Sequence, residues 1–177
     1  MAVLLAGFSP ALAQTLSFDF MPNGGKALFA DVFGATPDVA TLGEMAAPAR
    51  GEADWNAFLV ARGNDLVDKE LRTLAAYLAV NMPIRDDQLD AAAKAGDVAA
   101  ALPSDGRELA WNGCQGCHSL FAGYLTQDRD LQGWENMFQS PFHRELKMTP
   151  QERDEFSRYS TINMPMKFED VPEDLRF

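Results

Sequence analysis

The feature that most constrains this chain is a pattern that occurs twice. Gly25 and Gly106 lie 81 residues apart, Trp55 and Trp134 lie 79 apart, and Tyr77 and Tyr159 lie 82 apart. The tripeptides Asn81-Met82-Pro83 and Asn163-Met164-Pro165 are again 82 apart. Landmarks that keep one order and nearly one offset mark an internal duplication, each copy being one supersecondary unit. The local periodicity is helical. Between Val67 and Val80, Leu71, Leu74, Ala75 and Leu78 fall at the i, i+3, i+4, i+7 spacing of one helix face. Asp68 and Glu70 stand near the start of that helix, where its dipole favours acid, and Pro83 stops it for want of an N–H. In the second copy Thr149-Pro150-Gln151-Glu152 carries a helix start: a hydroxyl cap, proline at the first helical position and glutamate three residues after the cap. The expected fold is all-α, with two tandem helical domains at 14–84 and 105–177. An Asp- and Ala-rich linker at 85–104 joins them, with room for a solvated helix from Asp86 to Ala101. Shorter helices are expected at Lys26 to Phe33, Asp54 to Ala61, Arg107 to Asn112 and from Leu131, and the Gly- and Pro-punctuated stretch from Gly34 to Ala53 reads as loop.

Only the second copy carries distinctive chemistry. Cys114-Gln115-Gly116-Cys117-His118 sets two thiols three residues apart with an imidazole directly after them. That is the spacing of c-type haem attachment. One tight turn brings both sulfurs to the two vinyl groups of a single haem as thioethers, and His118 takes the proximal position on the iron. A bare C-x-x-C also serves dithiol redox chemistry and half zinc sites. These are the only cysteines in the chain, so a four-thiolate site is excluded, and the helical surroundings lack the strand that precedes a thioredoxin-like pair. One covalent haem c is expected and no second cofactor, because Phe33 stands 81 residues before Cys114.

On these residues the chain resembles the cytochrome c superfamily, class I-like, in two tandem copies. The family's opening resembles G-x-x-L-(F/Y)-x-x-x-C-x-x-C-H. Gly106, Leu109, Cys114, Cys117 and His118 match it, and Trp111 stands one place from the usual aromatic. Gly25, Leu28 and Phe29 match the opening in the first copy, where Phe33 replaces the first cysteine and Gly34 to Pro37 supply neither the second cysteine nor the histidine. The resemblance covers about residues 24 to 166 and implies that the first copy has lost its haem. It also implies a distal iron ligand, usually Met or His, in the loop before the last helix. His143 lies nine residues after Trp134 and six before Thr149, and is the only histidine outside the motif. Its placement resembles that in bis-histidine dihaem cytochromes. Met148 is the alternative, followed by Met137, Met164 and Met166. Met164 has Met82 as counterpart in the copy without the motif, which points to packing.

The resemblance implies an electron-transfer protein rather than an enzyme, a carrier or the haem subunit of a periplasmic dehydrogenase or respiratory complex. The alternative is a haem enzyme, or a gas or peroxide sensor with a displaceable distal ligand. Arg107, Arg129 and Arg144 would be its polar groups, and each reads more simply as a surface residue or a propionate partner.

Charge and termini bear on partner and compartment. Fifteen basic against twenty-six acidic side chains leave −11, which repels nucleic acid and anionic lipid and favours a redox partner with a basic docking face. Residues 1–13 form an apolar run ending in Ala11-Leu12-Ala13, the small-x-small pattern before a signal peptidase cut. Cleavage before Gln14 and a periplasmic location are expected, although the first basic residue is Lys26. Thioether attachment in bacteria also follows export. The run is too short to cross a bilayer, so no transmembrane span is expected.

Overall fold

The computed structural model describes residues 18–45, 49–96 and 98–176; the expected leader at 1–13 and its cleavage point lie outside them. The structure is 64% helical and has no strand among the described residues. The helices are α1 (Gly25–Phe33), α2 (Val39–Met45), α3 (Glu52–Arg62), α4 (Asp68–Asn81), α5 (Asp86–Ala95) and α6 (Val98–Ala101). They continue with α7 (Gly106–Cys114), α8 (Leu131–Met137), α9 (Pro141–Arg144) and α10 (Pro150–Asn163). A π-helical turn, Phe121–Leu125, follows the cysteine motif. No helix among the described residues is long and apolar enough to cross a membrane.

The repeated sequence landmarks are the contact points between helices. Gly25 of α1 lies against Tyr77 of α4, and Gly106 of α7 against Tyr159 of α10; a Cβ at either glycine would overlap the tyrosine. The Tyr77 hydroxyl donates to the Pro103 carbonyl at 2.8 Å and the Tyr159 hydroxyl to that of Pro22 at 2.6 Å. Asn81 and Asn163 close their helices by donating to the carbonyls of Tyr77 and Tyr159, each at 3.0 Å. They also reach across, Asn163 to Thr73 Oγ1 at 3.0 Å and Asn81 to Glu155 Oε2 at 3.4 Å. These bonds lie in the α4–α10 pair, the most extensive helix contact among the described residues.

Capping couples the two ends further. Asp105 is the N-cap of α7 and accepts the Glu108 N–H at 3.0 Å, while its other oxygen accepts the Lys26 N–H of α1 at 3.0 Å. Gly24, the N-cap of α1, has no side chain, and a Cβ there would overlap that carboxylate. One acid thus satisfies donors of two helix N-termini, whose dipoles both favour it. At α10 the expected box forms: Glu152 N–H donates to Thr149 Oγ1 at 3.2 Å, and Thr149 N–H to Glu152 Oε2 at 2.7 Å.

Two hydrophobic clusters result, one around Leu28, Phe29, Trp55, Leu74 and Leu78, the other around Trp111, Tyr124, Trp134 and Phe156. Two segments differ from the sequence reading. The stretch expected as loop after Gly34 contains α2, a helix too short to show a period, held by a fully buried Met45 and by Leu42 packed on the first cluster. Within 85–104 α5 is the solvated helix expected, with Asp86, Asp87, Asp90 and Lys94 exposed, whereas the end of the segment packs on that cluster. Val98 and Leu102 are buried in it, and the Val98 N–H donates to the Ala35 carbonyl at 2.7 Å. Gly96, at φ 69, makes the break between α5 and α6 in the left-handed region that glycine enters freely. The acidic C-terminal segment is also docked: Val171 is buried, Phe168 meets Phe121 edge-on at 5.7 Å, and Arg176 donates to the Val171 carbonyl at 2.7 Å.

Candidate functional site

A largely apolar cavity of about 410 Å³ lies in the second half of the chain. That volume is typical of a small-molecule or cofactor pocket. Cys114, Cys117 and His118 line it from the end of α7 and the turn that follows; Met137, His143 and Leu146 line it from α8, α9 and the loop beyond. Gly123 and Tyr124 come from the π-helical turn. At the cavity rim Phe142 is 89% exposed.

Local structure sets each side chain. Cys114 is the last residue of α7 and faces the second cluster, so it is buried, whereas Cys117 in the turn is exposed. His118 Nδ1 is 3.1 Å from the Ser119 carbonyl, and Gly123 approaches its ring so closely that a Cβ would overlap it. His143 sits on α9, which Ser140 caps and Pro141 opens; Ser140 Oγ is 2.8 Å from His143 Nδ1. Among the described residues neither histidine has a hydrogen-bond partner on Nε2. The two rings stand 6.2 Å apart, centre to centre, at an interplanar angle of 70°. With metal–nitrogen bonds of about 2 Å and each nitrogen roughly 1 Å from its ring centre, two imidazoles sharing one metal would also stand about 6 Å apart.

The methionines separate. Met148 lies in a different recess of about 240 Å³ with Leu109, Asn112 and Gly113. Met164 is buried in the second cluster and Met166 packs against it, its N–H donating to the Leu125 carbonyl at 2.8 Å. Of the sequence candidates, His143 and Met137 share the cavity with His118.

Electrostatics distinguishes the possible chemistries. Burial, with Cys117 adding to it, pushes the Cys114 thiol up to about 12. Cys114 is therefore protonated at neutral pH. Among the described residues no group of three or more His, Cys, Asp or Glu is placed to hold a metal ion on its own. Burial first, then His118 and Arg129, lower the pKa of His143, which favours the neutral imidazole that ligates metals. Among the described residues the buried Trp134 Nε1 has no hydrogen-bond partner. The Arg129 guanidinium lies 5.3 Å over that ring. The pairing recurs in the first half, where Arg50 lies 4.8 Å over Trp55 and Trp55 Nε1 is likewise unpaired.

Two arginines depart from the sequence reading. Arg107 is neither a surface residue nor near the cavity: it is buried, with its guanidinium donating to Phe18 O at 2.9 Å, Asp19 Oδ1 at 3.1 Å and Asn23 Oδ1 at 3.2 Å. Arg153, which the sequence does not single out, donates to the carbonyls of Arg144 at 3.0 Å, Leu146 at 3.2 Å and Met148 at 3.2 Å. It holds the loop that leads away from His143. No local pattern marks such a residue, since its partners are main-chain carbonyls that any sequence supplies.

Comparison with family models, with curated proteins and with solved structures finds no match.

Proposed function

We propose that this chain is a periplasmic c-type cytochrome that transfers single electrons through one covalently bound haem, as a carrier or as the haem subunit of an oxidoreductase complex, and is not itself an enzyme. The observation that carries the reading is the joint lining of one apolar cavity by Cys114, Cys117, His118 and His143, with the imidazoles 6.2 Å apart. The residues fit the group. Bound there, haem supplies a one-electron couple whose potential depends on its axial ligands and surroundings. Cys114 and Cys117 would hold it by thioethers, and His118 and His143 would be its iron ligands. Tyr124, Met137 and Leu146 exclude water.

The same reading makes the chain two tandem cytochrome-c-like domains, 14–84 without haem and 105–177 with it. Support comes from the equivalent Gly25–Tyr77 and Gly106–Tyr159 crossings. Phe33, which stands where the first cysteine would, packs tilted against Phe29 with ring centres 4.8 Å apart and shares its cluster with Leu42, Met45, Val98 and Leu102.

The test is the mass and spectrum of the exported protein. One haem per chain is expected, lost from covalent attachment in the double variant Cys114→Ala/Cys117→Ala. Two haems, or unchanged stoichiometry in that variant, would rule the reading out. The redox partner is expected to present a basic face to a chain of net charge −11. Its association rate should fall as salt rises, because exposed charges are screened beyond about 8–10 Å at ordinary ionic strength. A rate indifferent to salt would exclude electrostatic docking.

A further inference from the structure

We propose that Ser140 is the positioning residue of the distal ligand: its hydroxyl accepts the Nδ1 proton of His143 and so presents Nε2, with its lone pair, to the iron. This rests on His143 being that ligand. Ser140 is the N-cap of α9, with Pro141 at the first helical position. A serine in that place ordinarily gives its oxygen to a backbone N–H in the first turn. Here it makes no such bond, and its oxygen lies 2.8 Å from His143 Nδ1, three residues on. The cap has been diverted from the helix to the imidazole.

The two histidines are held by different kinds of acceptor. His118 Nδ1 faces the Ser119 carbonyl at 3.1 Å, and a carbonyl only accepts, so the proton is placed on Nδ1 and Nε2 is left bare. A hydroxyl both donates and accepts. Ser140 therefore permits both tautomers of the free imidazole, and supports ligation only in the one where it accepts. An acceptor on Nδ1–H raises the basicity of the coordinating nitrogen, which strengthens the metal bond and favours the ferric state. The distal bond is thus the adjustable one of the pair, and Ser140 adjusts it.

The experiment uses the haem-loaded protein in four variants: Ser140→Ala, Ser140→Gly, Ser140→Thr and His143→Ala. Glycine is the second deletion because it serves as an N-cap at little cost to the helix, so loss of α9 is separated from loss of the hydroxyl. Expected for Ala and Gly are a retained low-spin spectrum, a raised midpoint potential, and displacement of the distal ligand by cyanide about tenfold faster or more, the usual scale for removing such a partner. Ser140→Thr restores both values toward wild type. If Ala and Gly lower the melting temperature but leave potential and displacement rate unchanged, Ser140 is only a cap and the proposal is overturned while the ligand assignment stands. If His143→Ala keeps its low-spin spectrum, the ligand assignment falls and takes the role of Ser140 with it.

Discussion

His143→Ala is expected to open the sixth coordination position: the ferric spectrum should turn high-spin or water-ligated, and carbon monoxide should bind the ferrous protein readily. Met148→Ala, examined beside it, should leave the spectrum as it was. The contrast follows from where the two side chains lie. His143 lines the cavity with His118, whereas Met148 occupies a separate recess against Gly113, on a loop whose carbonyls Arg153 holds in place. With imidazole on both sides, as proposed, the ferric state would be favoured over what a thioether would allow. A low potential is therefore expected, without the weak near-infrared band of methionine-to-iron charge transfer. His143→Met should raise the potential wherever the loop lets the sulfur ligate. A low-spin spectrum that survives in the His143 variant and is lost in the Met148 variant would make methionine the ligand.

Glu155→Gln is expected to remove a pH dependence of stability of roughly 3 kcal/mol between pH 5 and 8. Glu155 is fully buried in α10, accepting the Gly106 N–H at 3.0 Å and the Asn81 amide at 3.4 Å. Burial pushes its carboxyl up to about 8, with Asp105 and Asp154 adding to the rise and the Gly106 bond and Arg158 opposing it. The folded chain therefore keeps a proton that the unfolded chain releases near 4.5. Below that pH both states are protonated and nothing depends on pH. Between about 4.5 and 8 the unfolded state alone ionises, so stability falls as pH rises. Glutamine carries no such proton, so its variant should show the flatter profile and be the more stable of the two at pH 8, less whatever its NH₂ loses facing Asn81. Urea unfolding midpoints at pH 5 and 8 measure this directly. Parallel profiles for the two proteins would mean that Glu155 ionises alike in both states.

The duplication is legible because its landmarks are residues that a close helix crossing requires. Glycine alone lets α1 and α7 approach Tyr77 and Tyr159, and each Asn-Met-Pro is a helix end whose asparagine has a fixed carbonyl to bond. The start of α10 is equally legible, since a capping box is made wholly from residues three apart. By contrast α2 and α6 have no readable period. They are helical because Met45 and Leu42, and for the α6 region Val98 and Leu102, find a cluster assembled from distant residues.

The candidate site divides in the same way. The spacing of Cys114, Cys117 and His118 was open to reading because the haem attachment proposed for them is a local pattern, set along the chain whatever the fold around it. Spacing alone left His143 and Met148 as rivals, being five residues apart on one loop. Tertiary structure puts them in different places, His143 on the cavity that His118 lines and Met148 in the recess beside Gly113, with the Arg153 guanidinium on the carbonyls between. The burial of Arg107 and of Glu155, and the unpaired Trp134 Nε1, were likewise decided there. Short-range order is written in the chain because its partners lie within a turn or two of each other. Burial, ring-to-ring distance and the pKa of a carboxyl depend on residues tens of positions away, and these meet only when α4 and α10 have packed.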